Sequence, residues 1–109
     1  MEKIRMLAAY LPALEQGRPG QFVPDAYEHE WVLRNFDWPE WGQTSEARNL
    51  LEDQAALAEA TPEQVFRLLT VVLRRDHFCE GTLDEAFESG LILRIVRRAA
   101  EIVKAEEER

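Results

Sequence analysis

Hydrophobic positions recur at helical spacing through most of the chain, and this pattern predicts an all-α protein. Residues 2–16 place their apolar side chains on one helical face, although Pro12 should kink this first helix or break it into two short turns. The most apolar segment covers residues 62–75, and residues 61–64 supply a capping box and a proline at the first helical position. We therefore expect residues 62–75 to be the buried central helix of a compact irregular bundle of about five helices.

Three further segments have helical spacing. They are residues 44–57, capped by Thr44 or Ser45, residues 83–88, and residues 91–107. Residues 26–35 are ambiguous between helix and strand. We favour helix there, because no partner strand is evident and a lone strand cannot satisfy its backbone hydrogen bonds. Residues 1–109 are expected to form a single helical domain, because a chain of this length buries enough surface to fold alone.

Two tryptophans flank a proline in the segment 36–42. Asp37 can cap a turn that begins at Pro39, which suits a first helical position. Trp38 and Trp41 could form a platform that stacks a sugar or clamps a ligand. We favour core anchoring, with each indole N–H directed to a carboxylate or carbonyl at the surface, because large aromatic side chains dominate the cores of small domains.

Composition and charge narrow the classes of function. The chain is 46% hydrophobic and 31% charged, which is typical of a globular protein. Its net charge of −8 repels phosphate backbones, so we expect no nucleic-acid partner. No run approaches the ~18 apolar residues of a membrane span, and the N-terminus has no signal-peptide core, so we expect no membrane partner. With Cys79 as the single cysteine, a cytoplasmic location is expected.

One short stretch concentrates the chemically active side chains. Residues 74–80 hold two guanidinium groups, an imidazole, the sole thiol and two carboxylates: Arg74, Arg75, Asp76, His77, Cys79 and Glu80. Gly81 follows, and Thr82 and Glu85 have the spacing of a capping box that starts the next helix. The stretch should therefore lie at a helix end and in a short connection, where function is often carried. Together with Asp37, Trp38 and Trp41, these six residues form our candidate functional cluster.

The same stretch resembles the signature of a known family. Residues 75–81, RDHFCEG, are similar to the RxDRFCEG signature of a small bacterial family, domain-of-unknown-function family 6508. Residues 7–15 resemble the family's LLxYIPxFE opening and residues 90–93 its continuation, so the resemblance covers nearly the whole chain. His77 stands where the family is expected to have Arg, so a role that needs a permanent charge there does not carry over. The resemblance implies a compact helical protein of unknown activity.

Three interpretations of the cluster are open, and two of them are chemical. A catalytic role would use Cys79 as nucleophile or His77 as general base, but their spacing brings them together only in an extended or tightly turned backbone. A metal role would draw on these two residues with Asp76 and Glu80. A structural zinc site needs four nitrogen or sulfur donors, and the cluster has one of each, so we expect no metal and no cofactor.

The third interpretation, which we favour, is a structural corner between the central helix and the C-terminal helices. In it, Arg74 or Arg75 pairs with a carboxylate of Asp76, Glu80 or Asp37. Phe78 plugs the core, and Cys79 is a small buried group without chemistry. Glu80 accepts backbone N–H bonds at the start of the next helix.

Two hypotheses of function follow. The leading one is a non-enzymatic protein that acts through protein–protein interaction, with itself as a homodimer or with an unidentified protein. The alternative is a small enzyme or ligand-binding protein whose pocket is built from residues 36–41 and 74–80. A solvent-open cleft lined by the cluster would favour the alternative.

Overall fold

The structure is a computed structural model that describes residues 2–108, and within them it contains nine α-helices and no β-strand. The helices are α1 (Glu2–Ala8), α2 (Leu11–Glu15), α3 (Phe22–Glu28), α4 (Trp38–Trp41), α5 (Ser45–Glu52), α6 (Gln54–Leu57), α7 (Pro62–Arg75), α8 (Thr82–Glu88) and α9 (Leu91–Glu107). The all-α prediction is confirmed, whereas about five helices was too low a number. The Cα radius of gyration is 13.0 Å, close to the ~13 Å expected for a compact chain of about 100 residues.

Two breaks account for part of the difference in helix number. The first separates α1 from α2 just before Pro12, where the sequence predicts a kink or a break. The second lies at Asp53 and divides the predicted helix 44–57 into α5 and α6. Asp53 has an extended backbone (φ −108°, ψ 109°), and its carboxylate accepts the N–H of Ala55 at 2.9 Å. Asp53 thus ends one helix and caps the next.

The central helix α7 has the predicted boundaries and the predicted burial. Its capping box is complete: the Thr61 hydroxyl accepts the Gln64 N–H at 3.1 Å, and the Gln64 side chain accepts the Thr61 N–H at 2.9 Å. Helices α4, α8 and α9 pack around α7, and α1 packs along α9. One continuous hydrophobic cluster joins the buried residues of these helices. Among residues 2–108, no helix combines the length and the apolar character that a membrane crossing requires.

The helix predicted for residues 26–35 is wrong in both position and extent. Helix α3 begins four residues earlier and ends at Glu28, because Glu30 adopts a left-handed conformation (φ 59°). The Trp31 N–H then donates to the Ala26 carbonyl at 2.9 Å, as in a Schellman ending. This ending turns the chain inward, so that Trp31 and Val32 are buried in an irregular segment that is neither helix nor strand.

Candidate functional site

Four of the nine cluster residues lie in the turn between α7 and α8, residues 76–81, which we call the signature turn; the other five lie at the end of α7 and in or beside α4. The first part of the signature turn continues the helical direction, with the N–H groups of Phe78 and Cys79 donating to the Arg75 carbonyl at 3.0 and 2.8 Å. Gly81 then takes a left-handed conformation (φ 92°, ψ −7°), which redirects the chain into α8. A side chain is strained at such an angle, so this glycine is what lets α8 start directly after the turn.

Asp76 connects the two ends of the signature turn. Its carboxylate Oδ1 accepts the Leu83 N–H of α8 at 3.0 Å. The capping box predicted from Thr82 and Glu85 is wrong, because Thr82 is the first helical residue and Gly81 occupies the cap position. The Thr82 hydroxyl instead donates to the Cys79 carbonyl at 2.7 Å. Asp76 therefore performs the capping role that the sequence suggested for Thr82 and for Glu80.

Phe78 and Cys79 are exposed, which corrects the prediction of a core plug and a buried inert thiol. The Phe78 residue keeps 78% of its surface accessible. Phe78 is therefore not part of the hydrophobic core cluster. The Phe78 ring instead stacks on Trp38 of α4, with ring centroids 6.0 Å apart and planes inclined by 29°. The partly buried Trp38 and the exposed Phe78 together form an aromatic pair, which we call the aromatic surface.

A second contact ties the signature turn to α3. The Tyr27 hydroxyl lies 3.0 Å from Nε2 of His77, and the two rings meet edge to face with centroids 6.2 Å apart. Burial raises the pKa of Tyr27; Asp76 adds to the rise and Arg74 opposes it. The tyrosine therefore stays protonated at neutral pH and can donate a hydrogen bond to the imidazole. This tyrosine was not among the predicted site residues, since fifty positions separate it from His77.

The two arginines do not form the predicted bidentate pair. Within residues 2–108, no carboxylate lies within 4.0 Å of the guanidinium of Arg74 or Arg75. The Arg74 Nε is buried without a hydrogen-bond partner. A Cβ atom added at Gly42 would lie 3.3 Å from Nη2 of Arg75, so the absence of a side chain at Gly42 leaves room for the Arg75 guanidinium. Asp37, another predicted partner, caps α4 by accepting the Glu40 N–H at 3.2 Å.

The two tryptophans of the candidate cluster have separate roles. Trp41 is 8% exposed and belongs to the core, and its indole N–H donates to the Glu46 carboxylate at 3.4 Å. This is the anchoring that the sequence predicts. Trp38 is only partly buried and lies at the aromatic surface. The structure therefore brings Trp38, but not the Trp41 ring, into contact with the signature turn.

The described residues place a possible metal-ligand group on α3 and its end, away from the signature turn. Ligand atoms of Asp25, Glu28 and His29 all lie within 4.8 Å of one another. The i, i+3, i+4 spacing of an aspartate, a glutamate and a histidine could have indicated this grouping from the sequence. Asp25 already accepts the hydroxyl hydrogen of Tyr10. Among residues 2–108, the carboxylates of the signature turn do not assemble with His77 and Cys79 into such a group.

Comparison with known proteins gives one match. The model of DUF6508, described as a family of unknown function, matches residues 18–105, which is most of the chain. This range contains the signature turn and residues 90–93. It begins after residues 7–15, so the N-terminal part of the resemblance stays a prediction. No curated protein and no solved structure gives a significant match.

Proposed function

The chain belongs to the family of unknown function DUF6508, and we propose that it is a non-enzymatic protein that binds another protein through the aromatic surface of Trp38 and Phe78. The observation that carries the proposal is the 78% exposure of Phe78. Only one other large hydrophobic residue among residues 2–108, Met6 at 37%, counts as exposed. A partner that covers this ring would remove its apolar area from water, which contributes roughly 25 cal/mol per Å² to binding.

The signature turn is also held in place by the fold, which favours the binding of a protein partner. Residues 77–80 are exposed, yet three tertiary contacts fix the turn. Phe78 stacks on α4, His77 meets Tyr27 of α3, and Asp76 caps α8. A surface that is already ordered loses less conformational entropy when it binds. The proposed partner is a second copy of the chain or another protein with an apolar patch.

The proposal of a non-enzymatic role rests on the separation of the reactive groups. His77 contacts Tyr27 rather than Cys79, and the carboxylate of Asp76 accepts a backbone N–H. A nucleophile, a base and an orienting third group in mutual hydrogen-bond reach are what covalent catalysis uses. The contacts at the signature turn instead serve to position the turn itself.

The single cysteine makes the proposal directly testable. Cys79 is exposed and adjacent to Phe78, so a photoreactive maleimide attached to its thiol places a crosslinker at the aromatic surface. Two arms are run, one with purified protein alone and one with lysate of the source cells, and adducts are identified by mass spectrometry. A Cys79→Ser, Met6→Cys variant carries the same crosslinker to the other exposed hydrophobic residue. Adducts no more abundant from position 79 than from position 6 would contradict the proposal.

Phe78→Ala supplies the quantitative test once a partner or a dimer is found. The proposal predicts a loss of about 2 kcal/mol of binding free energy, or roughly thirtyfold in Kd. Met6→Ala is the matched control and should leave Kd unchanged. Phe78→Ala should lower stability by only ~0.5–1.5 kcal/mol, the worth of an aromatic pair, so the variant stays folded. Equal Kd values for the wild type and Phe78→Ala would rule out the aromatic surface as the contact.

The alternative, a small ligand-binding protein or enzyme, is favoured by one observation beside the signature turn. Arg75 lines a groove of about 280 Å³ whose other walls include Val71, Val72, Glu85 and Ala86. The Arg75 guanidinium beside the apolar part of this wall suits a small carboxylate with an apolar tail that lies away from Glu85. Thermal unfolding with butyrate and hexanoate tests this alternative. Stabilisation that disappears in Arg75→Gln would support it, and no stabilisation of the wild type would dismiss it.

A further inference from the structure

A second basic feature lies between α6 and α9, away from the signature turn. Three arginines of α9 line one depression of about 170 Å³, together with residues of α6 and its end; the lining includes Arg94, Arg97, Arg98, Glu101, Gln54 and Leu57. We call the three arginines and this depression the arginine pocket. Its volume is far above the roughly 10–15 Å³ that a single water molecule needs.

The charges of the arginine pocket are unbalanced. The pocket lining has three guanidinium groups and one carboxylate, on a chain whose net charge is −8, and Arg97 also reaches Glu15, outside the lining, at 3.9 Å. Glu101 approaches Arg98 only to 4.0 Å and is itself largely exposed. Three like charges with two carboxylates at 3.9 and 4.0 Å leave an excess of positive charge, which a bound anion would offset.

Backbone carbonyls hold two of these guanidinium groups in position. The Arg98 Nε donates to the Ala60 carbonyl at 2.8 Å, and an Arg94 Nη donates to the Ser89 carbonyl at 3.1 Å. The Arg94 Nε is buried and has no hydrogen-bond partner within residues 2–108. A guanidinium has five N–H donors, so one bond to a carbonyl leaves most of them available. The guanidinium groups of Arg94 and Arg98 are thus held in position while several of their N–H donors remain available.

We propose that the arginine pocket binds a small oxyanion of the phosphate class, either inorganic phosphate or the phosphate group of a small metabolite. Guanidinium groups match the oxygens of phosphate through paired, charge-assisted hydrogen bonds. Two or more of them around one depression suit an anion with a double charge. The net charge of −8 opposes a long polyanion such as nucleic acid, whereas a small anion meets only the local positive field.

The test measures anion binding by the chemical shifts of backbone amides of α6 and α9 in NMR titrations. Inorganic phosphate, glycerol 2-phosphate and acetate are added at constant ionic strength, balanced with chloride. The proposal predicts saturable shifts with phosphate and none with acetate or chloride. Saturation by both phosphate compounds would assign the pocket to phosphorylated metabolites, and saturation by inorganic phosphate alone would assign it to the free ion.

Arg97 is the residue to change, because it is exposed and its ion pair within residues 2–108 is only a 3.9 Å contact with Glu15. Arg97→Gln should weaken phosphate binding at least about tenfold, the worth of one charge-assisted hydrogen bond. Arg97→Lys keeps the charge but loses the planar guanidinium group, so its affinity for phosphate should lie between those of the wild type and Arg97→Gln. Arg18→Gln removes the same charge from an exposed position outside the pocket and is the control. Equal weakening by Arg97→Gln and Arg18→Gln, or no saturable shift in the wild type, would overturn the proposal.

Discussion

Thr70 is the only polar or charged residue that is fully buried among residues 2–108, and its hydroxyl holds the irregular segment against the central helix. The hydroxyl accepts the Leu33 N–H at 2.8 Å and donates to the Phe66 carbonyl at 2.7 Å. Leu33 follows the buried pair Trp31 and Val32, so this bond fixes the part of the chain that leads to α4. We therefore expect Thr70→Val to be more damaging than its near-identical shape suggests.

The magnitude follows from what the substitution leaves behind. Valine fills the same space, so no cavity forms, but the Leu33 N–H loses its acceptor. An unsatisfied donor of this kind costs about 1–3 kcal/mol. The Phe66 carbonyl also loses a donor, but a carbonyl in a helix keeps its backbone partner, so this adds little. About 2 kcal/mol is a large share of the roughly 5–15 kcal/mol that stabilises a folded chain.

Thr70→Ser is the matched variant, because it keeps both hydrogen bonds and removes one methyl group. Its cost should be about 1 kcal/mol, the worth of a buried methyl group. Urea unfolding followed by tryptophan fluorescence gives both free energies. The expected order is wild type, then Thr70→Ser, then Thr70→Val. If Thr70→Val is as stable as Thr70→Ser or more stable, the Leu33 N–H finds another acceptor. The hydrogen bond to Thr70 is then not what holds the irregular segment.

Two further predictions concern a cap and a titration. Asp76→Ala should lower the free energy of unfolding by about 1 kcal/mol. Asp76→Asn, which keeps an acceptor oxygen, should lower it by less, and so should Thr82→Ala. Urea unfolding of the three variants checks this order. Burial and the hydrogen bond to Asp25 raise the pKa of Tyr10 to about 12. The tyrosine of the unfolded chain releases its proton near pH 10. The contribution of Tyr10 to the free energy of unfolding should therefore be fully present below pH 10 and should be lost between pH 10 and 12. Absorbance titration near 295 nm checks it, and Asp25→Asn should move the Tyr10 step to lower pH.

The sequence predicts best where the signal is local. The limits of α7 follow from a capping box, a proline and a sustained apolar face, all within the helix itself. The limits of α9 follow from its periodicity up to the point where charged residues replace apolar ones. In both cases the bonds that stabilise the ends join residues three or four positions apart, which a reader of the sequence can count.

Prediction fails where the deciding contact is distant or where one residue changes the direction of the chain. The cap of α8 comes from Asp76, seven positions before the Leu83 N–H that it accepts, although a local Thr-x-x-Glu pattern was present. Glu30 ends α3 in a left-handed conformation, which usually favours glycine, so a glutamate at this position does not predict the end of the helix. The apolar character of Phe78 predicts a core position, but the structure leaves it exposed and stacked on Trp38.

The position of Phe78 is best explained by considering what a purely structural turn would require. Joining α7 to α8 needs only the left-handed Gly81 and the cap from Asp76, and neither depends on the residues between them. Nevertheless two of the four exposed residues 77–80, His77 and Phe78, are held against α3 and α4 by ring contacts. Ordering two flexible residues at the moment of binding would cost roughly 2–4 kcal/mol of backbone entropy. Because the fold has already ordered these two residues, a partner that covers Phe78 keeps more of the free energy of burial as affinity.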